Sequence, residues 1–171
     1  MPGIRKHGAH RYNIPTSSAA VGTAALPSIW VYDAYAGPQT VIGGAGGIDS
    51  TGETVTELTV TNSAAITGAA TNFGTIRVTH RDNTGTTKNQ LTVAFGTAGF
   101  NAAAFVAMDF AVANGATVPG AGTATLTVAS GTALPWLLVN GDTITLDDTV
   151  AGTGNISGGL TAMIIVQARG S

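Results

Sequence analysis

Hydrophobic and polar residues alternate most cleanly in two stretches near the middle of the chain. From Thr75 to His80, Ile76 and Val78 face one way and Thr75, Arg77 and Thr79 the other. From Asn89 to Phe95, Leu91, Val93 and Phe95 share one side. Period-two alternation over this length predicts half-buried strands. Asp82-Asn83-Thr84-Gly85 between them has turn chemistry, so 75–95 reads as a hairpin with a long polar tip. Thr54 to Asn62 is another strand, but its apolar points shift from odd (Val55) to even (Leu58, Val60), the mark of a β-bulge. Further strands are expected at Ser28–Tyr35, Ala102–Phe110 and Thr123–Val128. The last unit, Leu134 to Gln167, reads as strand, tight turn at Asn140-Gly141-Asp142, strand, Gly-rich loop and closing strand. Asn-Gly between apolar runs is a strong turn signal because both residues tolerate positive φ. The closing run, Leu160 to Gln167, is apolar at nearly every position, which suits a central strand covered on both faces.

Some eight or nine short strands with turn signals between them predict an all-β fold. The expected architecture is a single antiparallel β-sandwich or jelly-roll domain of about eight strands over 28–171, preceded by an extended N-terminal arm over 1–27. Pro2, Gly3, Gly8, Pro15, Gly22 and Pro27 keep that arm from regular structure. No internal repeat suggests a propeller or solenoid.

Composition sharpens this. Charged residues are 9% of the 171, and 24 are glycine, whereas ordinary domains carry about 25% charge. Long helices are disfavoured, and the surface left to Thr, Ser, Asn, Gly and Ala has little charge to keep copies apart. There is no cysteine, hence no disulfide or thiolate site. No apolar run reaches the roughly 20 residues of a membrane span, and Ser17–Leu26 is too weak for a signal peptide. The net charge of −2 gives no general case for nucleic acid. Its distribution is uneven. Arg5, Lys6 and Arg11 stand at the start, and the remainder holds four basic and nine acidic residues, for −5. A basic head on an acidic body reads as a docking arm anchored by Tyr12 and Ile14, or as a solvated tail.

Candidate chemistry is sparse. His80-Arg81-Asp82 resembles the opening of a kinase catalytic loop, but Thr87 stands where that motif needs a metal-binding Asn, and the triplet reads as part of a hairpin. The glycines at 43–47 complete neither a dinucleotide fingerprint nor a P-loop. Asp142, Asp147 and Asp148, with Asn155 nearby, offer oxygens to a hard cation such as calcium. The alternative is that Asp142 caps a turn and Asp147-Asp148 lies in a solvated loop. No nucleophile, base and orienting group assemble from the sequence, so neither an enzyme nor a cofactor is expected. Trp30, Tyr32 and Tyr35 form an aromatic strand that fits a subunit interface better than a sugar platform.

The block Val60-Thr61-Asn62-Ser63-Ala64-Ala65-Ile66-Thr67-Gly68-Ala69-Ala70-Thr71-Asn72-Phe73 is the first of several resembling phrases. Thr75-Ile76-Arg77-Val78, the Asp82–Gly85 turn, Asn140–Leu146, Ala151–Gly154 and Gly158-Gly159-Leu160 are the others. Together they resemble small structural proteins of tailed bacteriophages over about two-thirds of the chain. The resemblance implies head decoration: a cement protein on the outer surface of the virion, bound to the major capsid protein lattice, often as a homotrimer. It carries no functional residue with it. The competing expectations are a tail or fibre module binding host glycans, and a tail-tube or connector subunit. None of these involves nucleic acid or a membrane.

Overall fold

The computed structural model describes residues 10–14, 28–31, 53–139, 141–154, 156 and 158–168. Within them there is no helix and about 51% strand. Ten strands form two antiparallel sheets. They are β1 (His10–Ile14), β2 (Ser28–Val31), β3 (Glu53–Asn62), β4 (Phe73–Arg81), β5 (Thr87–Ala94), β6 (Ala107–Asp109), β7 (Leu126–Ser130), β8 (Trp136–Leu138), β9 (Thr143–Ala151) and β10 (Leu160–Ala168). One sheet runs β1-β10-β3-β6, with β8 also on β3; the other runs β2-β9-β4-β5-β7.

The two inner faces make one core. Val55, Leu58, Val60, Met108, Trp136, Leu138, Leu160, Ala162 and Ile164 come from the first sheet. Ile76, Val78, Leu91, Val93, Leu126, Ile144 and Leu146 come from the second. This is the expected β-sandwich, with the alternation of β4 and β5 sending every second residue inward. The outward face of the second sheet is polar and self-satisfied. Arg77 donates twice to Asp147, through Nε and Nη2, each at 2.7 Å. Arg81 donates to Thr145 Oγ1 at 2.9 Å, and Gln90 to Thr79 Oγ1 at 2.9 Å.

The parity switch in β3 is a bulge. Ile165 pairs with Glu57 and Val166 with Val55, so Thr56 is the extra residue. Its hydroxyl donates to the Ile165 carbonyl at 3.4 Å, and Val55 and Leu58 both stay buried. β10 lies between β1 and β3, the central place its apolar run predicts.

The turn expected at 140–142 is there: Asp142 N–H reaches the Val139 carbonyl at 3.0 Å and Gly141 sits at φ 87°. β8 belongs to the first sheet and β9 to the second, so the turn is a corner between sheets. One expectation is corrected. The strand expected over Ala102–Phe110 shortens to Ala107–Asp109, because Phe105 adopts φ 60°, which ends an extended run. The segment read as an arm contains β1, whose Arg11, Tyr12 and Ile14 pair with Ile165, Ile164 and Ala162. The rest of that segment, with Arg5 and Lys6, lies outside the described residues.

Candidate functional site

The densest chemistry is at the end of the core where β4 and β5 meet the β8–β9 corner. The β4–β5 register sets Asn89 directly across from His80. The ladder then skips Lys88, since Arg81 pairs with Thr87. A bulged residue re-aims its side chain, and Lys88 Nζ comes within 3.5 Å of Asp142 Oδ2. His80 and Asp142 are both buried and meet at 2.7 Å between Nε2 and Oδ2.

The proton on His80 follows from its neighbours. Asn89 Oδ1 accepts the backbone N–H of Thr132 at 3.0 Å and its hydroxyl at 3.3 Å. The Asn89 NH2 therefore faces His80 Nδ1, at 2.9 Å. Nδ1 must accept, so the ring proton sits on Nε2 and is donated to Asp142. Asp142 Oδ2 also accepts the Val139 N–H at 3.1 Å, which ties it to the turn it follows. Gly131 permits the Thr132 contact: it sits at φ 66°, and a Cβ there would lie 2.1 Å from the Lys88 carbonyl oxygen and 2.3 Å from Asn89 Oδ1. Trp136 of the other sheet stacks on His80 with ring centroids 5.7 Å apart and 26° between planes.

Burial pushes His80 below its ordinary value near 6.5; the Asp142 hydrogen bond and charge pull it back up, while Lys88 lowers it further. Desolvation dominates because the ring is sealed from water. A second proton would place an N–H on Nδ1 against the Asn89 NH2, donor facing donor. The sign follows. A histidine with a depressed folded value favours the neutral fold, so stability is full above the unfolded value near 6.5 and falls as pH drops below it. A melting temperature measured from pH 7.5 to pH 5 at constant ionic strength should decline through this window, and His80→Gln should flatten the decline. An equal slope in both proteins would remove His80 as the cause.

This arrangement resembles a histidine–carboxylate catalytic pair but lacks its access. Both ring nitrogens are occupied, and Trp136 covers one face. What it can do is lock the two sheets and the corner together. Asp142 Oδ1 remains buried with no hydrogen-bond partner among the described residues.

The calcium candidate does not converge. Asp142 goes to His80, and Asp147 is committed to Arg77 on the outward face. Asp148, the next residue along β9, points to the opposite face. Burial raises its carboxyl above the ordinary carboxylate value, the Ile156 N–H partly offsets this, and Oδ2 has no hydrogen-bond partner among the described residues. Among the described residues no group of three metal-ligating acids or histidines forms. Of the aromatic candidates, Trp30 lies in β2 opposite Ile144, which joins that strand to the sheet through β9; Tyr32 and Tyr35 lie outside the described residues. Asp82 takes the N–H groups of Thr84 and Thr86 at 2.9 Å each, so the His80-Arg81-Asp82 triplet ends a strand and opens a hairpin tip.

Reading along the chain leaves His80 isolated, because its carboxylate partner is 62 residues away. The signal was the hairpin itself: pairing 75–80 with 89–95 sets Asn89 across from His80. No protein-family model, curated protein or solved structure matches this chain.

Proposed function

We propose that the chain is a non-enzymatic structural protein of a bacteriophage particle. It would bind the major capsid protein lattice at the outer surface and stabilise it through many weak copies. The observation that carries this reading is the chemical character of the sandwich. Its buried histidine–carboxylate pair is spent on holding sheets together, and its surface is Thr, Ala and Gly with isolated apolar side chains. Such a surface suits a brace against other proteins better than turnover of a small molecule. The resemblance of 60–166 to phage structural proteins points the same way.

The test is to mix the purified chain with expanded, undecorated capsids and follow co-sedimentation and the capsid melting temperature. Saturable binding with a raised capsid melting temperature is expected; free chain and an unchanged capsid would overturn the proposal. Removal of residues 2–9 probes the basic head, Arg5 and Lys6, while keeping β1. Removal of 2–27 also strips β1 from β10, so loss of binding there would not isolate the arm.

A further inference from the structure

The clasp at His80 leaves Asp142 half satisfied. The Asp142 side chain is 0% exposed. Its Oδ2 accepts the His80 Nε2–H at 2.7 Å and the Val139 N–H at 3.1 Å, and Lys88 Nζ stands 3.5 Å from the same atom. Its Oδ1 is buried with no hydrogen-bond partner among the described residues. A carboxylate shut from water with one bare oxygen is an unfavourable ion, and the single lysine contact is long for a charge-assisted hydrogen bond. Forming an amide removes both charges from the site.

The placement of Lys88 is as specific as that of the acid. Asn89 faces His80 across the ladder, and in regular alternation the residue before it would face the opposite side of the sheet. The ladder shifts there, Arg81 pairs with Thr87, and Lys88 is turned toward the corner. Its side chain is 39% exposed, which leaves the site a path to water on the lysine side. With no cysteine in the chain, no disulfide can tie β5 to the β8–β9 corner.

We propose that Lys88 and Asp142 condense to an intramolecular isopeptide bond, a covalent strap between β5 and the corner where the chain crosses from one sheet to the other. The ammonium first gives one proton to the carboxylate. That proton goes to Oδ1, since Oδ2 already holds two N–H donors. The Lys88 amine then attacks Asp142 Cγ, and the C=O electron pair moves onto Oδ2. The developing negative charge meets the His80 Nε2–H and the Val139 N–H, two fixed donors on a buried oxygen. Collapse of the tetrahedral centre re-forms the C=O at Oδ2 and breaks Cγ–Oδ1. The Oδ1 oxygen leaves as water, carrying the acid proton and one proton from the nitrogen. Ammonium and carboxylate become amide and water, with no oxidant, no co-reactant and no net proton. His80 acts only as a donor, so its occupied Nδ1 is no obstacle. The step happens once per chain and turns over nothing, and it does not depend on any capsid. The hydrogen-bonded clasp forms on folding and the bond follows slowly, so a freshly refolded chain reads the clasp alone.

The test is the intact mass of the full chain, folded, held for days at pH 7.5 and denatured before measurement. Wild type should be lighter than its sequence by the mass of one water. Digestion after lysine should spare Lys88 and release a branched peptide that joins the segment around Lys88 to the one around Asp142. Lys88→Arg keeps the cation but lacks the amine, so it should fold and show its full sequence mass. It should also unfold at lower urea than the linked wild type. His80→Phe keeps a ring against Trp136 and removes one of the two donors to Oδ2; it should form the bond about a hundredfold more slowly. A wild type that stays at full mass would overturn the proposal, whatever the variants do. A water lost equally by Lys88→Arg would also overturn it, since that marks an aspartate cyclising on its own backbone. A branch mapped to any other pair of residues would do the same.

Discussion

Asp142→Ala is expected to lower the unfolding free energy by about 2–4 kcal/mol, because it leaves two donors without their acceptor at about 1–3 kcal/mol each when buried. Alanine would leave the His80 Nε2–H without an acceptor in a sealed site, and would take from the Val139 N–H the side-chain oxygen that holds it. The Lys88 contact adds little, because its ammonium is partly in water. Most of the loss is therefore desolvation that is no longer compensated, not a missing surface ion pair. Urea unfolding at pH 7.5 reads it directly. Asp142→Asn keeps an oxygen for the Nε2–H and should lose much less. If both variants stayed within about 1 kcal/mol of wild type, the cluster would not be the clasp described above.

Trp136→Ala should be comparably severe, at about 3–5 kcal/mol. The side chain is 1% exposed in the core, its indole N–H donates to the Thr132 carbonyl at 2.9 Å, and its ring stacks on His80. Truncation opens a cavity between the sheets and orphans a backbone carbonyl. Trp136→Phe should recover most of the stability, short by about 1 kcal/mol for the lost hydrogen bond plus the unfilled volume. Circular dichroism is the appropriate probe, since the substitution removes one of two tryptophans. The effects at His80 and Trp136 should not add, because the two rings touch; a double-mutant cycle should give a coupling of at least about 0.5 kcal/mol. Strict additivity would mean the stacking contributes nothing.

The legible and illegible parts of this fold divide along a physical line. The β4–β5 hairpin was readable because alternation and the Asp82–Gly85 turn are local facts. The β3 bulge was readable because Val55 and Leu58 have opposite parity yet both are apolar. The turn at Asn140-Gly141 was readable too, but turn chemistry fixes only a reversal of the chain and says nothing about which sheet receives the next strand. The early end of the Ala102–Phe110 run was hidden for a related reason. Phenylalanine favours extended backbone, and only the pull of the Asn62 carbonyl on a distant loop sets Phe105 aside. The three aspartates looked like a cluster in one dimension, but strand geometry sends Asp147 and Asp148 to opposite faces and the core claims Asp142.

The extra residue at Thr56 bears on how the chain tolerates changes of length. Loss of a residue beyond the bulge, Leu58 for instance, would set Thr59 and Thr61 against the core in place of Leu58 and Val60. Loss of Thr56 or of Glu57 would instead leave Val55, one outward residue and Leu58 facing in, out and in, an uninterrupted ladder. In a central strand that admits few deletions, the bulge is where the chain can be shortened by one residue with its pattern intact.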